Sequence, residues 1–287
     1  MLFRSIVTGK IPIAKTYKLF IDGAFPRSES GRTFSVNNYE GELIANVSQA
    51  SRKDFREAVR AARSAQSPWA SRTAYNRGQI LYRVAEMLES RKIEFVELLK
   101  STGLNGKAAK SEVEEAIHRW VWYAGWSDKY SQVLGSVNPV SGPYFNFTVP
   151  EPTGVVGIIA PTEPSMMGLV SRLVPAIVSG NTVVVVSQGQ SSLTSITIGE
   201  VLATSDVPGG VVNILTGDQS ELLPWMIGHM DVNAVDISGI SPETDRTLLE
   251  EASLNVKRVI SRKVEEESLE LISDFLEMKT VWHPVGR

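Results

Sequence analysis

The chain contains no cysteine, and this absence excludes the most reactive side chain that proteins use. Without thiols there is no disulfide, no thiolate metal ligand and no thiol nucleophile. The absence also suits a reducing compartment, so we expect a cytoplasmic protein. Only three histidines are present, His118, His229 and His283, and none has the short spacing to another that is typical of zinc ligands. We therefore expect no metal site.

Charge and hydrophobicity exclude two further classes of partner. The 287 residues carry a formal net charge of −3, which does not indicate a basic surface for nucleic acid. No apolar run approaches the roughly 20 residues that a membrane-spanning helix needs. Residues 1–16 are basic and are interrupted by Gly9 and Pro12, which does not fit a secretory signal. We expect these residues to form a flexible N-terminal arm, and we expect neither nucleic acid nor a membrane as a partner.

The segment Glu151–Gln190 contains two continuous apolar runs, 155–160 and 182–186, on either side of a helical pattern. Strands that are apolar along their whole length are typical of a parallel sheet with helices on both faces. Strand and helix patterns then alternate to residue 274, after amphipathic helical patterns between residues 51 and 131. The sequence therefore predicts a Rossmann-like, doubly wound α/β fold with N-terminal helices.

Two further patterns predict β-structure outside the parallel sheet. Residues 132–150 have the pattern of two strands joined by a turn rich in proline, glycine and serine, and residues 275–282 have the pattern of a closing strand. We therefore divide the chain into three parts: the arm over 1–16, a main domain over 17–131 and 151–274, and a β-hairpin with a closing strand over 132–150 and 275–287.

Motif chemistry alone reveals no catalytic constellation. Neither GxGxxG nor GxxxxGK[ST] follows the first apolar strand, and no GxSxG turn occurs. The turn after that strand is Pro161-Thr162-Glu163-Pro164. A carboxylate at this turn repels an anionic phosphate. Motifs and composition therefore lead only to a cytoplasmic α/β protein.

Several stretches, in the same order, resemble the aldehyde dehydrogenase superfamily. They are LFIDGAFPRSESGRTF, YAGWSDKY followed by EPTGVVGIIAP, SGNTVVVV, VPGGVVNILTGD and Asp236-Ile-Ser-Gly239. The resemblance implies a Rossmann-like NAD(P) domain with an oligomerisation hairpin over 132–150, closed by the strand in EMKTVWHP. It also implies that four aromatic residues of these strands are exposed for pairing with a partner, namely Tyr144, Phe145, Phe147 and Trp282.

Three departures from the family pattern affect cofactor and oxyanion binding. The family's Pro-Trp-Asn-Phe-Pro begins at Pro161 and Thr162, and its oxyanion-binding Asn falls on Glu163, so an amide donor becomes an anion. The Lys and Glu that hold the adenosine ribose fall on Val186 and Gly189, so both contacts are lost. The Gly-Ser at the pyrophosphate falls on Gly239 and Ile240, so the glycine stays and the hydroxyl is lost.

Two more departures affect catalysis itself. The family's general-base Glu falls on Arg262, and the catalytic domain with its nucleophilic cysteine is missing before the closing strand. We therefore expect no catalytic residue, and weak binding of NAD or NADP at best. This pattern most resembles the second, non-catalytic domain of the sixteenth aldehyde dehydrogenase family.

The resemblance and the departures together leave two functional hypotheses. The first is a non-catalytic subunit that assembles with a full-length aldehyde dehydrogenase, or forms a homodimer through the same strands when that partner is absent. The alternative is an oxidoreductase acting on aldehydes, or a nucleotide-binding protein, that uses the Rossmann cleft.

Overall fold

The N-terminal half of the chain is a small sheet followed by helices. A computed structural model describes residues 14–38, 40–240, 246–262 and 266–286. The first sheet has the order β1-β3-β2 and consists of β1 (Lys15–Tyr17), β2 (Thr33–Asn37) and β3 (Leu43–Ser48). The helices that follow are α1 (Arg52–Ala70), α2 (Ala74–Ser90), α3 (Lys92–Ser101), α4 (Gly106–Trp126) and α5 (Tyr130–Leu134).

The second half contains the remaining strands and helices. The strands are β4 (Ser136–Asn138), β5 (Tyr144–Pro152), β6 (Val155–Ile159), β7 (Thr182–Ser187), β8 (Val212–Thr216), β9 (Ala234–Asp236), β10 (Arg258–Ile260) and β11 (Leu276–Pro284). The helices are α6 (Ser165–Val178), α7 (Ser191–Leu202), α8 (Gln219–Gly228), α9 (Arg246–Ser253) and α10 (Leu269–Ser273). None of the helices in the described ranges is long and apolar enough to cross a membrane.

Strands β6 to β10 form a parallel central sheet in the order β10-β9-β6-β7-β8. Both of its faces are covered by helices. Val183 and Val185 of β7 belong to the core cluster that includes α4, α6 and α7, while Val184 and Val186 belong to the cluster that includes α1 and α8. Because every side chain of β7 is buried, the strand has no polar alternation. The predicted doubly wound α/β fold is confirmed.

Helix α1 begins at a capping box. Ser51 Oγ accepts hydrogen bonds from the backbone N–H groups of Lys53 and Asp54, at 3.2 and 3.4 Å. Asp54 Oδ2 in turn accepts a hydrogen bond from Ser51 N at 2.8 Å. These bonds satisfy donors that have no partner within the helix, so the local sequence determines where α1 begins.

Two segment boundaries differ from the sequence-based division. Lys15 and Thr16, which the division places in a flexible arm, pair in β1 with Ala45 and Asn46 of β3. Residues 1–13 of the predicted arm lie outside the described part of the chain. Residues 132–134, which the division places in the hairpin, form the last part of helix α5. The first residue of this helix, Tyr130, is buried and donates a hydrogen bond from its hydroxyl group to Ser179 O at 3.4 Å.

Strands β4, β5 and β11 form a separate antiparallel sheet, called here the hairpin sheet, in the order β11-β5-β4. Its register places the predicted aromatic residues on opposite faces. Phe145 and Phe147 lie on one face with ring centroids 5.4 Å apart, whereas Tyr144 and Trp282 meet edge to face on the other at 5.8 Å. Tyr144, Phe145 and Trp282 are exposed, and Phe147 is half-buried.

Candidate functional site

The carboxyl ends of β6 and β9 meet at the point where the strand order of the central sheet reverses. In open α/β sheets, ligands bind in the crevice outside the carboxyl ends at such a point. Here Gly239, just after β9, lies against the end of β6: a Cβ on Gly239 would come 2.3 Å from Ile159 O. The glycine is therefore required for backbone packing, and the crevice is narrow at this position.

A cavity of about 600 Å³ opens beside this point, between α4, α6 and the turn 161–164. We call it the main cavity. A Cβ on Gly168 of α6 would come within 3.0 Å of Pro161, so this part of the turn packs directly on the helix. Five charged side chains are among those that line the cavity: Glu112, Glu115, Arg119, Glu163 and Arg172.

The N-terminus of α6 is already occupied by a carboxylate of this chain. Glu112 Oε1, from α4, accepts hydrogen bonds from Met166 N at 2.8 Å and from Met167 N at 3.2 Å. The residue before α6 is Pro164, which provides no side-chain cap. In Rossmann-like folds the first helix N-terminus is the usual anion site, because its backbone donors and dipole favour negative charge. The side chain of Glu112 is buried and takes two of these donors.

Two buried arginines face the main cavity from α4 and α6, and both have acidic neighbours. Arg119 Nη1 donates to Ser171 Oγ at 2.5 Å, and its Nη2 lies 3.4 Å from Glu267 Oε2. Arg172 Nη1 donates to Gly168 O at 3.0 Å. These contacts hold both guanidinium groups against the protein. Groups of the protein therefore balance most of the positive charge that the two arginines bring to the cavity.

Arg172 also lies near the buried end of β9. Its Nε is 3.7 Å from Asp236 Oδ1, which accepts a hydrogen bond from Ser238 N at 2.8 Å. Burial lowers the pKa of Arg172 and raises the pKa of Asp236, while each charge opposes the shift of the other. A buried ion pair of this kind needs both partners, because removing one leaves an uncompensated charge.

The predicted oxyanion position faces solvent. Thr162 and Glu163 are exposed in the turn after β6. Glu163 lines the main cavity and also a second cavity of about 390 Å³ on the side of Gln190 and Ser191. A carboxylate here gives both cavities a negative rim and cannot donate a hydrogen bond to a developing oxyanion while it is ionised.

The two predicted ribose positions behave differently. Val186 is fully buried in β7 and belongs to the core, so its side chain does not reach a ligand. Gly189 is exposed in the turn before α7 with φ +57°, a conformation that favours glycine. Between them, Ser187 Oγ lies 3.0 Å from Ser191 Oγ. Short hydroxyl side chains thus form a buried network at the carboxyl end of β7.

Gln219, at the start of α8, is a residue that sequence reasoning missed. Its buried side chain donates from Nε2 to Ala160 O at 2.9 Å, across the carboxyl end of β6. Gln188 Oε1 approaches the Gln219 backbone N–H at 3.4 Å. The two amide side chains therefore occupy part of the edge where a nucleotide would enter. No motif surrounds Gln219, so only the fold brings it to this edge.

The remaining predicted positions lie away from the main cavity. Ile240 packs against the core cluster that includes α1 and α8. Arg262, at the general-base position, pairs through Nη2 with Asp274 Oδ1 at 3.0 Å. Burial raises the pKa of Asp274, and Arg262 opposes that shift. A paired cation at position 262 cannot accept a proton, so it cannot act as a general base.

A metal centre finds no support in the described ranges, where no group of three histidine, cysteine or acidic residues is placed to hold an ion. Taken together, the described side chains around the main cavity can bind and position polar groups. Ser111 Oγ donates a hydrogen bond to Glu115 Oε1 at 2.7 Å, but the two residues lie one turn apart on the exposed side of α4, as in an ordinary solvated helix surface.

Comparisons with known proteins agree with this fold. The sequence model for the aldehyde dehydrogenase family matches residues 25–262. The chain is 34% identical over 249 residues to cytosolic aldehyde dehydrogenase 1 of Elephantulus edwardii, covering 84% of this chain and 49% of that protein. It is 33% identical over 256 residues to omega-crystallin of Enteroctopus dofleini, covering 87% and 51%.

Solved structures give the same assignment. An NAD+ complex of aldehyde dehydrogenase from Bacillus cereus superposes with a TM-score of 0.79 at 28% identity, covering 85% of this chain and 50% of that one. The chain thus spans about half the length of the relatives that it matches. Strand β11 lies beyond the matched residues 25–262. The chain belongs to the aldehyde dehydrogenase family.

Proposed function

We propose that this chain is a non-catalytic, aldehyde-dehydrogenase-like subunit that assembles with a full-length aldehyde dehydrogenase through the hairpin sheet. One observation carries the non-catalytic part: Arg262, at the general-base position of the family, is a cation paired with Asp274 Oδ1 at 3.0 Å, so it cannot accept a proton. In addition, the α6 N-terminus, where a Rossmann-like fold usually binds an anion, is filled by Glu112 Oε1, which accepts two backbone hydrogen bonds there.

Support also comes from the predicted cofactor and catalytic positions inside the matched range. Val186 is in the core, Glu163 adds negative charge at the rim, and Arg262 is paired with Asp274. Each of these three changes removes a different function, namely cofactor recognition, oxyanion stabilisation and proton abstraction. An active site that had lost only one of these groups could still catalyse a reaction, but the loss of all three favours a role without catalysis.

The assembly part rests on the exposed surface of the hairpin sheet. One face carries five apolar side chains, all at least partly exposed: Val137, Phe145, Phe147, Val149 and Val281. Contiguous apolar patches on a protein surface mark sites of interaction. Such a face favours a protein partner, and the absence of cysteine supports a cytoplasmic location for the complex.

Calorimetric titration with NAD and with NADP tests the non-catalytic part. Each lost charge-assisted hydrogen bond is worth roughly 1.5–3 kcal/mol, so two lost ribose contacts weaken binding by about two to four orders of magnitude. We expect no saturable binding at micromolar concentrations. Micromolar affinity for either dinucleotide would overturn the proposal and favour the alternative of a nucleotide-binding protein or an aldehyde oxidoreductase.

Co-expression with a full-length aldehyde dehydrogenase from the same source tests the assembly part. We expect the two chains to elute together in size exclusion, and Phe145→Glu in the apolar face to separate them. Tyr75→Glu is the matched control, because Tyr75 is 68% exposed on α2 and outside the hairpin sheet. Separate elution of the wild-type chains, or equal behaviour of the two variants, would refute this part.

A further inference from the structure

The outer edge of β11 is an unpaired strand edge. Strand β11 lies at the end of the hairpin sheet and pairs along its whole length with β5 on one side. No described strand pairs with its other side, and residues 277–284 are all exposed. Long exposed edges favour pairing with another strand, and natural proteins commonly cover or interrupt them.

Two hydrogen bonds at the ends of β11 show which of its residues direct their backbone groups toward β5. Thr153 N donates to Phe275 O at 3.1 Å, and Val285 N donates to Pro143 O at 2.9 Å. Backbone groups alternate sides along a strand, so the odd-numbered residues of β11 direct their N–H and C=O groups toward β5. Met278, Thr280 and Trp282 therefore direct theirs toward the free edge.

We propose that two copies of this chain pair antiparallel along β11, about a two-fold axis at Thr280, to form one continuous six-stranded sheet. In this register Thr280 exchanges two backbone hydrogen bonds with Thr280 of the second copy. Met278 does the same with Trp282 of that copy. All the outward backbone groups of these three residues find partners, and the thioether of Met278 meets the indole of Trp282, a favourable contact.

The ends of the strand favour the same register. Leu276 O already accepts a hydrogen bond from Arg258 Nη1, and Pro284 has no N–H. Pairing about Thr280 places these two residues opposite each other, so the carbonyl that is already used faces the residue that cannot donate. The same register places Glu277 opposite His283, which avoids two like charges.

The two neighbouring registers also bring the outward backbone groups of the even-numbered residues opposite each other, but both are less favourable. Pairing about Lys279 places two lysines directly opposite each other, which is destabilising, and places Trp282 N–H opposite the occupied Leu276 O. Pairing about Val281 places Met278 O opposite Pro284, which leaves a carbonyl without a donor. Only the register about Thr280 satisfies the outward groups without a repulsive pair.

The geometry also keeps the two bodies apart. Because the strands run antiparallel, the central sheet of each copy lies beyond the residue-276 end of its own β11, at opposite ends of the paired strands. A two-fold axis perpendicular to the sheet keeps the apolar faces of the two hairpin sheets on the same side. The dimer therefore joins the two apolar patches into one surface.

Single-cysteine variants test the register, because the natural chain has no cysteine. Hydrogen-bonded residues directly opposite in an antiparallel pair have Cα atoms about 5.5 Å apart, within the range for a disulfide. We expect Thr280→Cys to form a dimer under mild oxidation. Lys279→Cys and Val281→Cys should react at least about tenfold more slowly, because a diagonal separation of about 7–8 Å exceeds that range. Faster cross-linking at 279 or 281 than at 280 would overturn the proposal.

Size exclusion of the purified chain alone supplies the second readout. We expect a wild-type dimer. Thr280→Pro should elute as a monomer, because it removes an outward N–H without touching the ladder to β5. Thr280→Val is the matched control, since both variants lose the hydroxyl contact to Thr148 Oγ1 but only proline loses the N–H. A wild-type monomer, or a Thr280→Pro dimer, contradicts the proposal.

If Thr280→Pro does not fold, the cysteine variants still decide the question. This inference needs no second protein, so it can fail while the proposed assembly with a full-length enzyme stands, and the reverse also holds.

Discussion

Replacing Glu112 by alanine tests the idea that this residue is a built-in anion at the α6 N-terminus. The carboxylate accepts hydrogen bonds from Met166 N and Met167 N, the positions that a capping side chain normally serves. Pro164 cannot replace it, because it provides no side-chain hydrogen bond to the helix. The variant therefore leaves two backbone donors of α6 without a protein partner.

The expected cost follows from the two bonds. A hydrogen bond to a charged group contributes about 1.5–3 kcal/mol, and the low end applies because water in the main cavity can reach the helix end. The free energy of unfolding should fall by about 3 kcal/mol for Glu112→Ala. Glu112→Gln keeps an acceptor oxygen and loses only the charge near the helix dipole, so about 1 kcal/mol is expected. With about 2 °C per kcal/mol for a domain of this size, the midpoints should fall by about 6 °C and 2 °C.

Thermal unfolding followed by circular dichroism measures both variants, with Glu115→Ala as the matched control. Glu115 lies on the same helix, lines the same cavity and carries the same charge, but it accepts its hydrogen bond from Ser111 Oγ and not from α6. Sulfate provides an independent readout, since it should stabilise Glu112→Ala more than Glu115→Ala by occupying the vacated helix N-terminus. A midpoint for Glu112→Ala equal to that of Glu115→Ala, with no added effect of sulfate, would refute the reasoning.

Two further predictions concern buried polar residues. Burial lowers the pKa of Lys257 to about 8, so above that pH the unfolded chain binds more protons than the folded chain. Between about pH 8 and pH 10.5, the free energy of unfolding of the wild type should therefore increase by about 1–3 kcal/mol relative to that of Lys257→Met. Denaturant titrations at the two pH values check this gain, and a pH-independent difference would contradict it. Asn181 donates to Phe275 O and accepts from Gly154 N, so Asn181→Leu should lower the free energy of unfolding by about 3 kcal/mol and increase amide exchange in β11, as measured by mass spectrometry. Unchanged exchange in β11 would show that Asn181 does not anchor this strand.

The central sheet was predictable because its strands carry an unambiguous pattern. The run Thr182–Ser187 is short, rich in valine and buried at every position, as expected of a strand that helices cover on both faces. The start of α1 was predictable for a local reason, since Ser51 and Asp54 satisfy each other's backbone donors. Features encoded within a few residues were therefore accessible from the sequence.

The faces of the hairpin sheet required the strand register. The sequence groups Tyr144, Phe145, Phe147 and Trp282 as exposed aromatic residues, and the structure divides them between two faces. Side chains alternate along a strand, so Tyr144 and Phe145 must point in opposite directions. Which of them shares a face with Trp282 depends on the pairing of β5 with β11, which brings together residues more than a hundred positions apart.

One buried residue of the candidate site, Glu112, lies outside every motif that the family resemblance highlights. The resemblance draws attention to the turn at Glu163, where an expected group is replaced, but the α6 N-terminus is filled from α4 by Glu112, 54 positions before Met166. On sequence alone, Glu112 is one of many acidic residues on a helix, for which a solvated surface position is the default expectation. Burial of that carboxylate against backbone donors becomes visible only when α4 packs on α6. The candidate site thus combines motif residues, which the sequence reveals, with a capping side chain that only the packing of α4 on α6 reveals.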